Sequence, residues 1–509
     1  MRLTTGILPS LLALVAIAIG TGAPACAAAA EEKAEEKAEV KAGEKKETKE
    51  EKPKRDPRDV RMGKQLHVQI TQQMGVHDDL ELQEYVQRIG AKLAAVSERP
   101  ELDWKFTIVD TDDVNAFATT GGFVYVSRGI LPYLQNEAQL AAVIGHEIGH
   151  ITARHLQSRQ RKTTLAGLAS AATAIFTGMP ALAELTNVAG QAIVLGYGRE
   201  AELEADRLGA QYLAKAGYEP EAMIDVIQVL KNQELFERER ARLEKRDARV
   251  YHGVFASHPG ADTRLQQAIA SAGKVQLGAT GNISNRDGYL DAIQGLPVGS
   301  SRRQGMMRGN RFFHADMQFT VAFPQGWQVQ NAPTHLLAVA PNKEHYLELR
   351  TQAPPADLTD PRDFAMRGLG NRRLDHVETL DINGLKAWTA IVRSDASPYG
   401  QATSVRYVIV YYGNLMWVFK GASRSNSAVP AGDSLFLSTA RTFRRLRSGE
   451  FQLAEPHRLQ VVRAAEGTTI DELAQTAKIE KYPAQELRLF NDLYPKGEPK
   501  PGDLIKTVR

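Results

Sequence analysis

Residues 141–155 read AAVIGHEIGHITARH, and within them His146-Glu147-Ile148-Gly149-His150 is H-E-x-x-H. On a helix, positions i and i+4 share a face, so both imidazoles can converge on one ion. Glu147 projects beside them, where it can take a proton from an attacking water. Leu140, Ala141, Val143 and Ile144 supply the apolar side that packs such a helix and fixes the direction of its ligands. The pattern predicts a helix from about 137 to 160 at the heart of a metal site.

The motif is strong but needs a third ligand. The chain holds one Cys in 509 residues, which excludes a cysteine ligand and a disulfide framework. A metzincin would place Gly three and His six residues after His150, where this chain has Ala153 and Leu156. His155 falls off the two-ligand face and is expected at the surface. A carboxylate from a later helix remains, giving two His and one Glu. Residues 197–210 read YGREAELEADRLGA, with Glu202 and Asp206 four apart on one helical face. One can ligate the ion while the other holds a ligand imidazole by its remaining N–H. Ala201, Leu203, Ala205, Leu208 and Gly209 around them imply burial rather than a solvated acidic face.

These motifs, with a later Ser257-His258-Pro259 and Arg264 six positions after the histidine, resemble the HtpX/BepA-type zinc metallopeptidases. These are gluzincins related to the CAAX prenyl proteases. The resemblance covers about 60–272 and implies one Zn2+ per chain at His146, His150 and Glu202. It further implies Glu147 as general base, Asp206 behind a histidine, and Asn115, Ala116 and Phe117 on an edge strand where substrate lies extended. Gly121 and Gly122 fit the same pattern. It also implies that His258 and Arg264 act at the metal, His258 either assisting catalysis or latching the water's place. The sequence lacks the flanking membrane spans of some relatives, which argues against a prenylated-peptide substrate, and the tetratricopeptide tail of others, which argues against their mode of partner docking.

Outside this region, composition sets bounds. Hydrophobic residues make up 43 % and charged ones 24 %, so the chain is expected to be globular rather than polytopic. Sixty-three Lys+Arg against 60 Asp+Glu give a net charge of +3, too small to predict a nucleic-acid partner. Arg2 and the apolar stretch from Ile7 to Ile19, followed by A-x-A sites, read as a signal peptide over 1–27. The product is expected in the periplasm, either soluble or as an outer-membrane lipoprotein through lipidated Cys26. Residues 28–59 are a charged, disordered tether; residues 31–60 alone hold 11 acidic and 10 basic side chains. The uncharged run Thr163–Ala183 is expected as a hairpin that plugs the cleft or touches a membrane.

The expected fold class is α+β multidomain. A mainly helical zincin-type peptidase domain with a small edge-strand sheet occupies 60–272, and a linker occupies 273–310. A β-rich α/β domain follows over 311–446, its FTVAFPQGW at 319–327 resembling PsbP/Mog-like domains. Trp327, Trp388 and Trp417 are assigned to its core. Residues 455–509 form a β-α-α-β module resembling a degenerate LysM, through Gly467-Thr468-Thr469, Leu487–Asn491 and Pro501-Gly502-Asp503. That likeness implies peptidoglycan as a partner. The whole reads as an exported zinc endopeptidase acting on unfolded or misassembled envelope proteins. The alternative is an envelope chaperone or scaffold, or a peptidoglycan-binding protein, with a latched, silent metal site.

Overall fold

A computed structural model describes residues 57–157, 197–246, 264, 267, 282–332, 335–399 and 402–509. The leader with Cys26, the tether up to residue 56, the Thr163–Ala183 run and His258 lie outside these residues. The described residues begin with two helices, α1 (Pro57–Met74) and α2 (Leu80–Ala95). The break falls where Gly75 takes a φ of +74°, and Asp79 then caps α2 by accepting from the Leu82 N–H at 3.0 Å. Leu82, Val86, Ile89 and Leu93 form the buried stripe of α2.

Three short strands follow: β1 (Lys105–Val109), β2 (Ala116–Thr119) and β3 (Phe123–Ser127). Their order is β1-β3-β2, with β1 parallel and β2 antiparallel to β3, so β2 is an edge in this pairing. Gly121 and Gly122 turn the β2–β3 hairpin at φ of +85° and +97°, a region that side-chain-bearing residues rarely adopt.

The central helix α3 (Glu137–Thr152) starts at Asn136, whose side chain accepts from the Gln139 N–H at 2.9 Å. It is buried on every side from Ala138 to Ile151, as expected of a helix apolar all round. Helix α4 (Arg199–Lys215) packs along it, and α5 (Ala222–Leu243) packs against it as well. The α3–α4 seam is lined by small residues. A Cβ on Gly149 would stand 3.0 Å from the Ala205 carbonyl, and one on Gly209 would stand 2.9 Å from the His146 backbone nitrogen. Only bare backbone allows this approach, and the approach carries α4's carboxylates to the histidines.

The stretch read as a linker departs from that reading in its described part. Helix α6 (Arg286–Ala292) and β4 (Pro297–Val298) lie in residues 282–310. Tyr289, Leu290, Ile293 and Leu296 are buried in the same core as α2 and α3, and the Tyr289 hydroxyl donates to the Leu131 carbonyl at 2.6 Å. An apolar quartet at helical spacing had somewhere to pack.

The β-rich region forms a second core. Strands β5 (Met306–Arg308), β6 (Arg311–His314) and β7 (Phe319–Ala322) join a late two-residue strand, β15 (Arg444–Arg445), in one sheet. A seven-stranded antiparallel sheet follows, built from β8 (Gln328–Ala332), β9 (His335–Val339), β10 (His345–Gln352), β11 (Leu374–Ile382), β12 (Leu385–Asp395), β13 (Thr403–Tyr412) and β14 (Leu415–Ser423). Its order is β11-β12-β13-β14-β10-β9-β8. Trp417 and Phe419 pack with Phe436 and Phe443 on one face, while Trp388 is buried in a smaller cluster with Ala365 and Ile409. Trp327 is half-buried.

The last four elements run β-α-α-β: β16 (His457–Arg463), a helix at Ile470–Thr476, a helix at Pro483–Phe490, and β17 (Leu504–Val508). They do not stand apart. Strand β16 bridges β17 and β4, and Leu459, Leu487, Phe490 and Val508 belong to the first core. Gln135 Nε2 donates to the Phe490 carbonyl at 2.9 Å, and buried Lys506 Nζ donates to the Leu134 carbonyl at 2.6 Å. Among the described residues, no helix is long and apolar enough to cross a membrane.

Candidate metal centre

Helix α3 places His146 and His150 one turn apart with their Nε2 atoms 3.0 Å from each other. Helix α4 brings Glu202 to the same point, its Oε2 3.6 Å from His146 Nε2 and its Oε1 3.5 Å from His150 Nε2. All three side chains are buried, and Glu202 has no exposed surface at all. Burying a carboxylate so completely is costly unless cations or donors surround it.

The hydrogen-bond pattern sets what these atoms can do. Asp206 Oδ1 lies 2.8 Å from His146 Nδ1, and a carboxylate can only accept, so the imidazole proton sits on Nδ1. The Nε2 of a neutral His146 is then a bare lone pair. Arg264 grips Asp206 with two bonds, Nε to Oδ2 at 2.7 Å and Nη2 to Oδ1 at 2.6 Å, and its Nη1 lies 2.9 Å from Glu202 Oε2. Burial opposes ionisation of Asp206, but the Arg264 guanidinium outweighs it and holds the carboxyl well below its usual range. Burial pushes the His150 imidazole down to about 3, keeping it neutral. Its ring stacks on Tyr197 with centroids 3.8 Å apart.

Two imidazoles and a carboxylate thus crowd ligand atoms to within 4.8 Å of one another. Ligand atoms held about 2.0–2.2 Å from a tetrahedral ion stand roughly 3.3–3.6 Å apart. The donor set and its spacing suit one zinc ion, and nitrogen with carboxylate oxygen is a zinc ligand chemistry.

Glu147 is buried beside the pair and, with His146 and Arg264, faces a cavity walled by Ala116, Ile130, Val143, Met223 and Val226. Of the three edge-strand residues, Ala116 reaches this cavity. Asn115 is buried, its N–H donating to Ser127 Oγ at 3.0 Å, and Phe117 turns to the opposite face to stack on Tyr125. Strand alternation accounts for the split. Arg264 comes to Glu202 and Asp206 of α4. His258 lies outside the described residues.

His155 is where the sequence reading errs. It is buried, not at the surface, with its Nδ1 2.8 Å from His150 Nδ1. Helix α3 stops at Thr152 instead of running to 160, and Arg154 takes a left-handed φ of +57°, which folds His155 back onto the ligand. Neither Gly nor Pro marks that stop, so periodicity alone extended the helix. Glu204, also unremarked in the sequence, lies 3.2 Å from His155 Nε2. The Gly145/Gly149 and Ala205/Gly209 pairs were legible as small residues at four-residue spacing, a signal for close helix contact.

Residues 81–271 match the family model for peptidase family M48. Over 320 residues, 58% of this chain and 62% of the other, the chain is 27% identical to the beta-barrel assembly-enhancing protease of Escherichia coli K12. Over 215 residues, 40% of this chain and 41% of the other, it is 27% identical to the mitochondrial metalloendopeptidase OMA1 of Arabidopsis thaliana. The aligned part thus spans about three-fifths of the first relative's length and two-fifths of the second's. Among solved structures, cyanobacterial PsbP from Synechocystis aligns at a TM-score of 0.23 and 16% identity, over 28% of this chain and 95% of that one. A likeness that low carries no argument about the β-rich region.

Proposed function

With residues 81–271 forming a peptidase domain of the zinc-dependent family M48, we propose that this chain is a zinc endopeptidase hydrolysing peptide bonds of misfolded or misassembled envelope proteins. The observation that carries the proposal is the meeting of His146, His150 and Glu202, with buried Glu147 beside them at a cavity. Zinc, when bound, supplies Lewis acidity toward a peptide carbonyl and toward an attacking water.

The chain's own residues do the rest. His146, His150 and Glu202 hold the ion. A Glu147 carboxylate oxygen takes the proton of the attacking water and returns it to the amide nitrogen as the C–N bond breaks. Asp206 keeps His146 turned with Nε2 toward the ion, and Arg264 keeps Asp206 ionised. The edge strand β2 offers backbone on which an extended substrate can add as a further strand, bringing its carbonyl to the cavity at Ala116. Apolar Ile130, Val143, Met223 and Val226 in that cavity favour an apolar side chain next to the cleaved bond.

The envelope setting is supported by the leader expected over 1–27 and by likeness to a protein named for β-barrel assembly. The test is Glu147→Gln in the full chain. Casein cleavage should fall by at least about a hundredfold with zinc content unchanged, since general-base catalysis is worth about 10²–10⁴. Undiminished cleavage would end the proposal.

A further inference from the structure

Asp206 orients His146 through its Nδ1, and at the Nδ1 of His150 stands His155. We infer that His155, held by Glu204, is the positioning residue that turns the Nε2 lone pair of His150 toward the metal. This rests on the zinc-site reading and extends it to two residues outside the ligand set.

The argument is one of proton placement. The Nδ1 atoms of His150 and His155 lie 2.8 Å apart, so one proton must sit between them: two bare lone pairs repel at that distance, and two N–H groups collide. Glu204 decides which ring donates. Its Oε2 is 3.2 Å from His155 Nε2 and can only accept, so His155 carries its proton on Nε2. A neutral imidazole has a single N–H, so in the neutral form of His155 the Nδ1 is bare. It accepts from His150 Nδ1, which leaves His150 Nε2 unprotonated. That atom faces His146 Nε2 at 3.0 Å and Glu202 Oε1 at 3.5 Å. In the opposite arrangement His150 would aim an N–H at the other ligands and could not bind an ion.

The parts of this relay are placed for the purpose. The left-handed turn at Arg154 is what returns His155 to the helix end, and His155 is only 8% exposed. Glu204 sits two residues beyond Glu202 on α4, so one helix supplies both a ligand and the group that orients another ligand. The Glu204 side chain is half exposed, so its share is weaker than that of Asp206.

The experiment measures zinc affinity of the full chain by competition with a chromophoric chelator. Thermal unfolding of the zinc-free proteins checks that each is folded. His155→Phe keeps the ring volume and loses the acceptor; affinity should fall by about tenfold or more. His155→Asn loses volume but sets an amide oxygen where Nδ1 was; affinity should stay within about threefold of the unsubstituted chain. Glu204→Ala, at a half-exposed position that folding tolerates, should weaken binding by about threefold. The reverse order, Phe binding normally and Asn poorly, would make His155 a packing residue and overturn the inference. So would equal affinity in all three. If the unsubstituted chain and Glu202→Ala bind zinc equally, the ligand assignment itself fails, a result distinct from either.

Discussion

Removing the positive charge of Arg264 should destabilise the zinc-free protein and do so less when zinc is present. The guanidinium stands 2.6 Å from Asp206 and 2.9 Å from Glu202, and all three side chains are buried. Opposite unit charges at such distances attract by about 6 kcal/mol at an effective dielectric near 20. Desolvating the ions offsets much of that, but deleting one partner leaves the others buried and uncompensated, at about 3–5 kcal/mol. Arg264→Leu keeps apolar bulk while stranding two carboxylates. In chelator, urea unfolding followed by circular dichroism should show a loss of about 3–5 kcal/mol. Zinc at the triad would compensate Glu202 but not Asp206, so saturating zinc should recover about half of it. A loss under about 1 kcal/mol in chelator, or one that zinc leaves untouched, refutes the idea that this arginine and the ion share Glu202.

Gly209→Ala would set a methyl 2.9 Å from the His146 backbone and 2.6 Å from Met223 Cε. It should cost about 1–3 kcal/mol of stability and weaken zinc binding, because α4 must move away from α3; a stable variant of unchanged zinc affinity would show that the seam is not needed. Burial holds the Lys506 amine well below the lysine value of 10.5. Below that pH the unfolded chain binds a proton that the folded one lacks, so stability rises with pH toward 10.5. The melting temperature of the native chain should therefore climb relative to Lys506→Met between pH 7 and 10, and parallel curves would count against a buried neutral amine. Truncation after Glu450 should strip the cover from the core beside Leu134 and Tyr289 and give insoluble or unfolded protein; a truncated form that stays folded and binds zinc would show the tail to be dispensable.

The metal site was legible because its chemistry is local. His146 and His150 share a turn, and Glu202 and Asp206 share another, so spacing alone put each pair on one face. The β-rich character of 311–446 was legible for a like reason, since it too is a property of short runs of sequence. Hidden from view were contacts between segments far apart in the chain: Arg264 on Asp206, Lys506 on Leu134, and Tyr289 under Leu131. Arg154 hid His155, because a left-handed residue without glycine leaves no mark in hydrophobic period.

What the amino-acid order by itself determined, then, is which His and which carboxylate side chains share a helical face, the glutamate next to the histidines and the periodic elements that bear them. Tertiary structure alone decided that the supposed linker and tail are sides of the same core. It also decided that the α3–α4 seam closes tightly enough to bring a carboxylate within 3.6 Å of two imidazoles, and that His155 turns inward. The physical reason is range: periodicity encodes which face of an element is apolar, whereas which face it meets depends on close packing between residues hundreds of positions apart.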